Sequence, residues 1–398
     1  MKNYPLCRRE AMLATGGLIL SGIAGLQHSA QEQKPELADK KDLVMRTTDP
    51  RNGEPELNKL VQSWITPTKH FYVRSHAPNP ILKPEDFKLR IEGAVRKPFT
   101  ISLGELAKFK RHSVTATLTC AGNRRTEFNK EAKVGGVQWE AGAIGNAKWS
   151  GYSLAEVLKH AEVLEDAKHV WFEGLDEIKK GDKTIPFGAS VPIEKAMTGT
   201  TDSSAGIPGV LLADTMNDAV LPADHGYPLR TIVPGYIGAR SVKWLGRIVV
   251  SDRPSPNHYL ATAYKIVKDT KPIDWRESGP IYRFPINAAI CTPGPATNLK
   301  TGAIELSGYS LPTGREGTSI KAVLLSTDGQ NWTKAELQGE SSPFCWQLWK
   351  AKLNVQVSTR FVFARAVDSS GGFMPHRVPW NAKGYLQNSW YKLPVSVS

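Results

Sequence analysis

Cysteine is scarce in this chain, with four residues among 398, and such a count excludes a disulfide framework. No G-x-G-x-x-G and no Walker A lysine motif is present, so the common dinucleotide and nucleoside triphosphate loops are excluded. No C-x-x-C-H occurs, which excludes covalently attached c-type haem. There is no internal repeat, no low-complexity tract and no compact run of Lys and Arg, so a nucleic-acid surface is not expected. Beyond the first 26 residues no apolar run is long enough to span a bilayer. What is present is a globular composition, 40% hydrophobic and 22% charged, with a formal net charge of +13. That excess favours small anions or acidic partners.

The N-terminus differs from the rest. Lys2, Arg8 and Arg9 precede an apolar stretch from Ala11 to Leu26 that ends in small residues at Ser29 and Ala30. A charged head, an apolar middle and a small-residue end describe a secretory leader over residues 1–30. The adjacent Arg8-Arg9 points to the twin-arginine route, with an ordinary secretory leader or a retained anchor as alternatives. The expectation is a protein exported to the periplasm and free of the membrane after leader removal. The leader carries Cys7, three of the positive charges and one of the negative, leaving a net +11 and three cysteines, Cys120, Cys291 and Cys345.

Residues 31–60 are polar and Pro-bearing and read as an extended arm. From 61 to 285 helical and strand signals mix. Ser102 with Glu105, and Ser153 with Glu156, each open an apolar helical pattern as a capping box. Val114, Ala116, Leu118 and Cys120 alternate with three threonines, which is strand periodicity carrying Cys120 to a buried face. From 286 to 398 the texture is of short strands at Ile304–Tyr309, Ser319–Ser326 and Arg360–Val367, with a hairpin turn at residues 327–330. The fold class is therefore α+β followed by a β-sandwich.

The segment Thr117-Leu-Thr-Cys120-Ala-Gly-Asn-Arg124-Arg125 carries the strongest chemical signal. A strand ends at a cysteine, a turn follows, and two arginines come at once. Nearby positive charge lowers a thiol pKa, which poises Cys120 as a nucleophile or a soft-metal ligand. A buried structural cysteine beside a salt-bridged surface fits the spacing equally well. A zinc site is disfavoured, because no Cys or His lies close in sequence to complete a ligand set.

Here the chain becomes recognisable. The run Cys120-Ala-Gly-Asn-Arg-Arg125, with Phe71-Tyr-Val-Arg74-Ser-His76 before it, resembles the sulfite oxidase family of molybdenum enzymes. So do Leu221-Pro-Ala-Asp-His225-Gly-Tyr-Pro-Leu-Arg230, Gly238-Ala-Arg240-Ser-Val-Lys243-Trp-Leu-Gly, Pro379-Trp-Asn381-Ala-Lys383-Gly and Asn388-Ser-Trp390. The likeness runs from about residue 55 to the C-terminus, and it is greatest to bacterial periplasmic sulfite dehydrogenases that lack a haem domain. It implies a molybdenum-pyranopterin cofactor, no haem, and an immunoglobulin-like C-terminal sandwich that makes a homodimer contact. Cys120 would be the single protein thiolate on molybdenum, beside the two sulfurs of the pyranopterin dithiolene. Arg74 and Lys383 would face the substrate pocket, with Arg125, Trp139 and Tyr264 around it. The cofactor would be held by Tyr72, Val73, Arg74, Ser75, His76, Asp176, His225, Arg230, Ser241, Val242 and Lys243. Lys383 departs from the family's usual arginine, keeping the charge but losing the bidentate fork.

The activity implied is oxidation of sulfite to sulfate, with electrons passed to an external acceptor, for which a periplasmic cytochrome c is the expectation. Two rivals stand beside it. One is a molybdenum-dependent reductase of nitrate or sulfoxides on the same scaffold; the other is an exported binding protein without catalysis.

Overall fold

The computed structural model describes residues 41–199, 209–268, 275, 278–295 and 297–398. The expected leader, residues 1–30, lies outside the described residues. Among the described residues no helix is long and apolar enough to cross a membrane.

Of the segment expected as an extended arm, residues 31–40 lie outside the described residues, and from residue 41 it is paired rather than solitary. Strands Leu43–Thr47 and Asn52–Pro55 pair antiparallel, and Val73–Arg74 adds a third strand with Asn52 opposite Arg74. Glu54 explains why this hairpin docks. Its buried carboxylate accepts the backbone N–H of Glu140 at 2.8 Å and of Gly142 at 2.9 Å, and Arg46 pairs with it at 2.7 Å. A helical turn, Leu57–Leu60, then buries Leu60 completely.

Two sheets follow. In the first, strands run in the order Gly188–Pro192, His169–Gly174, Leu245–Ser251, Leu89–Gly93 and Phe99–Ile101; only the pair Leu245–Ser251 and Leu89–Gly93 is parallel. In the second, Arg111–Thr119 pairs with Ile144–Ser153, which pairs with Leu211–Met216, and Arg230–Ile232 joins that last strand. A single core of Leu89, Ile91, Phe172, Ile248, Leu212 and Val233, among others, takes side chains from both sheets and from helix Leu154–Ala161. Val114, Ala116 and Leu118 of Arg111–Thr119 go into a second core with Cys120 and Trp149, and Thr117 and Thr119 are covered as well, so both faces of that strand are dry near Cys120.

The two expected capping boxes differ. At Ser102 both reciprocal bonds form. At Ser153 the helix begins on schedule, but the hydroxyl is buried without a partner and Glu156 turns instead to His112 at 3.2 Å. Ser153 ends a central strand, and its backbone follows the ladder to Leu211 rather than the cap geometry.

Besides a short parallel pair, Asn298–Leu299 with Ser396–Val397, the C-terminal part holds two antiparallel four-stranded sheets. One orders Asn287–Thr292, Gly302–Leu311, Gln347–Val355 and Glu336–Gln338; the other orders Thr333–Lys334, Ile320–Ser326, Phe361–Asp368 and Tyr391–Pro394. Burial alternates strictly along Phe361–Asp368, and Val323, Leu325, Val362, Ala364 and Trp349 share one core between the sheets. The turn expected at residues 327–330 is there, with Gly329 in the left-handed region at φ 74°.

Arg124 ties this part to the rest. It is fully buried in a left-handed backbone conformation, φ 65°. Its guanidinium pairs with Glu127 at 2.7 Å and donates to Asn287 Oδ1 at 2.7 Å and to the Trp390 carbonyl at 3.3 Å. Asn123 adds a bond to the Tyr309 hydroxyl at 3.1 Å, and that hydroxyl donates to the Ala141 carbonyl at 2.8 Å. The turn after Cys120 thus reaches both the thiol's wall and the C-terminal sheets.

Candidate active site

A cavity lies where strand Val73–Arg74, the end of strand Arg111–Thr119 and the segment from Asp224 to Trp244 meet. Its wall is chemically divided. A soft part holds the buried Cys120 thiol with Leu118 and Ala121; the Gly122 N–H approaches Cys120 Sγ at 3.4 Å. Among the described residues no group of three His, Cys, Asp or Glu side chains is arranged to hold a metal by protein ligands alone.

A basic part holds Arg230 and Lys243. Arg230 donates to the carbonyls of His225 at 2.8 Å, Ser241 at 3.1 Å and Thr231 at 3.3 Å, and lies 5.0 Å from the Trp149 ring centre. Lys243 Nζ donates to Ser75 Oγ at 2.8 Å and to the Asp224 carbonyl at 2.9 Å. Burial pushes Arg230 down to about 10 and, with Arg230's charge added, Lys243 down to about 7. Two desolvated cations whose hydrogen bonds go to carbonyls and a hydroxyl are built for an anion, since only a negative group restores the lost solvation.

A third part surrounds Arg74 and Tyr264. The Tyr264 hydroxyl is 3.2 Å from His76 Nε2, and burial raises the phenol and lowers the imidazole, so the phenol keeps its proton and the ring stays neutral near pH 7. His76 stacks on Phe187 at 4.9 Å and tilts against Tyr259 at 4.5 Å. Asp176 accepts the Phe187 N–H at 2.9 Å, and burial raises its carboxyl.

Cys120, Tyr72, Arg74, Ser75, His76, Asp176, His225, Arg230, Ser241, Lys243 and Tyr264 all line this one cavity, although they come from five separate stretches of chain. Five further candidates do not line it. Val73, in its strand, and Val242, in the segment before strand Leu245–Ser251, are buried behind the wall, Val242 donating its N–H to Thr231 Oγ1 at 2.7 Å. Trp139 is fully buried, edge-on to Tyr72 at 6.5 Å, and its indole N–H has no partner among the described residues. Arg125 packs against three glycines, 122, 136 and 384, where a Cβ would meet its side-chain atoms within 2.7 Å. It donates to the Val137 carbonyl at 2.7 Å and stacks on Tyr385, which stacks on Tyr264. It supports the cavity wall from behind. Lys383 sits half-buried with its ammonium 5.2 Å from the Trp275 ring, its pKa lowered by burial and by Lys180 and Arg125. The guanidinium of Arg124 bonds Glu127 and Asn287 and that of Arg125 the Val137 carbonyl, so both side chains also serve packing.

Phe187, Asp224, Gly238 and Trp244 also line the cavity and were not singled out. Asp224, within the stretch Leu221 to Arg230, is buried and paired with Arg51 at 2.8 Å. Phe187 had no local signal. Gly238 belongs to the wall because a Cβ there would meet the Tyr72 hydroxyl at 2.7 Å.

A soft thiol and buried basic groups lining one cavity fit an anionic sulfur-bearing cofactor, and comparison with known proteins gives that class. The model of the oxidoreductase molybdopterin binding domain matches residues 76–259, and that of the Mo-co oxidoreductase dimerisation domain matches residues 278–398. Mitochondrial sulfite oxidase of Drosophila melanogaster is 40% identical over 368 residues, covering 87% of this chain and 62% of the fly protein, so the chain spans less than two thirds of that relative's length. Sulfite oxidase of Gallus gallus is 37% identical, covering 88% of this chain and 77% of the bird protein. The NADPH nitrate reductase of Emericella nidulans is 32% identical over 87% of this chain and 43% of its own length. In fold, the sulfane dehydrogenase SoxCD of Paracoccus pantotrophus superposes with a TM-score of 0.73 at 24% identity, covering 97% of this chain and 96% of that one. The chain belongs to the sulfite oxidase family of molybdopterin oxidoreductases.

Proposed function

We propose that this protein oxidises sulfite to sulfate at a molybdenum-pyranopterin centre and passes the electrons to an external acceptor. The observation that carries this reading is the single cavity uniting Cys120, Arg74, Tyr264, Arg230 and Lys243. Cys120 would bind the metal, since a thiolate suits a soft ligand environment. Arg230 and Lys243 would hold the cofactor's phosphate, with Ser75, Asp176, His225 and Ser241 bonding along its body. When bound, the cofactor supplies the two-electron redox chemistry.

The chain's own residues do the rest. Arg74 binds the sulfite oxyanion through a charge-assisted fork. Tyr264, held by His76, offers its O–H to a substrate or product oxygen and returns to His76 when the anion leaves. The stacked Phe187 and Tyr259 keep that hydrogen bond away from bulk water, where it would weaken.

The acceptor we favour is a periplasmic cytochrome c, and haem is not expected in this protein. The periplasmic location rests on Arg8-Arg9 and the apolar stretch after it. The C-terminal sheets, from about residue 286, are read as an immunoglobulin-like sandwich forming the homodimer contact, which the match to a dimerisation domain supports. The catalytic part is then residues 61–285. Sulfite-dependent reduction of cytochrome c by purified, molybdenum-loaded protein tests the proposal, with nitrate as the competing substrate. Nitrate reduction without sulfite oxidation would replace it with the reductase reading.

A further inference from the structure

We infer that Asn52, in the N-terminal hairpin and outside both matched domain models, is a positioning residue that holds the guanidinium of Arg74 in place for the oxyanion. The inference rests on the anion-binding role proposed for Arg74.

Asn52 is 1% exposed and stands directly across the strand pair from Arg74. Its Oδ1 accepts from Arg74 Nη1 at 3.1 Å and from the Ser75 N–H at 2.9 Å. Its Nδ2 donates to Thr47 Oγ1 at 2.7 Å and to the Pro50 carbonyl at 2.9 Å. Both acceptor sites and both donors of the amide are therefore used. Turning the amide over would set NH2 against a guanidinium and a backbone N–H, donors against donors, so its orientation is determined by its partners.

The hairpin carrying Asn52 is itself anchored on either side. Arg51 pairs with the buried Asp224 at 2.8 Å, and Asp224 lends its carbonyl to Lys243. Glu54 is bonded to the backbone of Glu140 and Gly142. Asn52 thus has a rigid base.

Arg74 needs such a base. A long side chain facing a cavity has many rotamers, and binding an anion in one of them loses that freedom. Nη1 of Arg74 is committed to Asn52 and to the Ser75 carbonyl. Among the described residues no acceptor meets its Nε or Nη2, so the donors held in reserve are those an oxyanion would take. Holding one corner of the planar group orients the rest of it.

The test uses the molybdenum-loaded enzyme in wild-type form and as Asn52→Ala, Arg74→Gln, the double variant and Thr47→Val. Sulfate affinity is measured by calorimetry, sulfite kinetics with an uncharged acceptor, and molybdenum content and melting temperature alongside. Asn52→Ala is expected to weaken sulfate binding and raise the sulfite KM by about three- to ten-fold, the rotamer freedom that an unheld arginine gives up on binding. Its kcat and molybdenum content should stay within about two-fold. On the Arg74→Gln background the same change should have almost no further effect, because residues acting through one another are non-additive. Thr47→Val, which removes an acceptor of Asn52 Nδ2 together with the hydroxyl's own bond to the Pro50 carbonyl, should move KM in the same direction by about two-fold, and it carries the test if Asn52→Ala fails to fold. Full additivity with Arg74→Gln, or lost molybdenum with an unchanged KM, overturns the positioning role while leaving the sulfite reading intact. Wild-type protein that neither binds sulfate nor oxidises sulfite overturns both.

Discussion

Arg74 and Lys383 are the two cations that the family likeness assigns to the substrate, and their surroundings predict unequal roles. Arg74 lines the cavity and holds Nε and Nη2 without acceptors among the described residues, whereas Lys383 lies off the cavity wall beside Trp275. Replacing Arg74 with Gln removes a direct charge-assisted contact worth about 1.5–3 kcal/mol, which is roughly ten-fold to over a hundred-fold in kcat/KM for sulfite. Replacing Lys383 with Gln removes a half-buried charge acting through partly screened surroundings. Such charges contribute about 0–1 kcal/mol, so less than about five-fold. Salt separates the two further. At about 1 M ionic strength the screening length falls to about 3 Å, which should erase most of the Lys383 effect and leave the Arg74 contact. Steady-state kinetics of both variants across a salt series, with an uncharged electron acceptor in excess, measures this. A Lys383→Gln loss as large as that of Arg74→Gln and persisting at high salt would show that the lysine contacts the anion directly, and the reasoning from the cavity wall would fail.

Cys120→Ser should keep the fold, because a buried hydroxyl fits the same space, yet lose sulfite oxidation; molybdenum content and circular dichroism check both halves. Arg124→Met should lower stability by about 3–5 kcal/mol, since it strands Glu127 and frees Asn287 and the Trp390 carbonyl at the junction; the shift in denaturant midpoint measures it. Lys243 is protonated below about pH 7 in the folded, cofactor-free chain but below about 10.5 when unfolded. The unfolded state therefore binds more protons between those values, and this group's destabilising effect, complete below pH 7, fades as pH rises through the window. The melting temperature of Lys243→Met relative to wild type should accordingly be highest at pH 6 and fall towards pH 9, and a difference that is flat with pH would refute the burial argument. Arg8→Lys with Arg9→Lys should strand cofactor-loaded protein in the cytoplasm, which fractionation followed by a sulfite assay detects.

Contiguous signals were legible in the chain by itself. The alternation through Val114, Ala116 and Leu118 determined a strand that ends beside Cys120, whereas the covering of its other face at Thr117 and Thr119 was decided by tertiary packing. Ser102 and Glu105 determined their helix start, because each supplies the bond the other's backbone needs. The stretches 71–76, 221–230 and 238–246 named most of the cavity's polar lining. Tertiary structure alone decided where each charge points. Arg124 and Arg125 follow the thiol by a few residues, yet one secures the C-terminal sheets and the other supports Tyr385. Trp139 and Val242 match the family as Arg74 does, and Lys383 stands at a family position, yet all three lie behind or beside the wall. Asn52 and Phe187, 22 residues before Arg74 and 111 after His76 in the numbering, gain their roles only when strand pairing and ring stacking bring them there. Spacing encodes which face of an element a residue occupies. Which partner waits on that face is set by chain folded from far away, and local sequence holds no record of it.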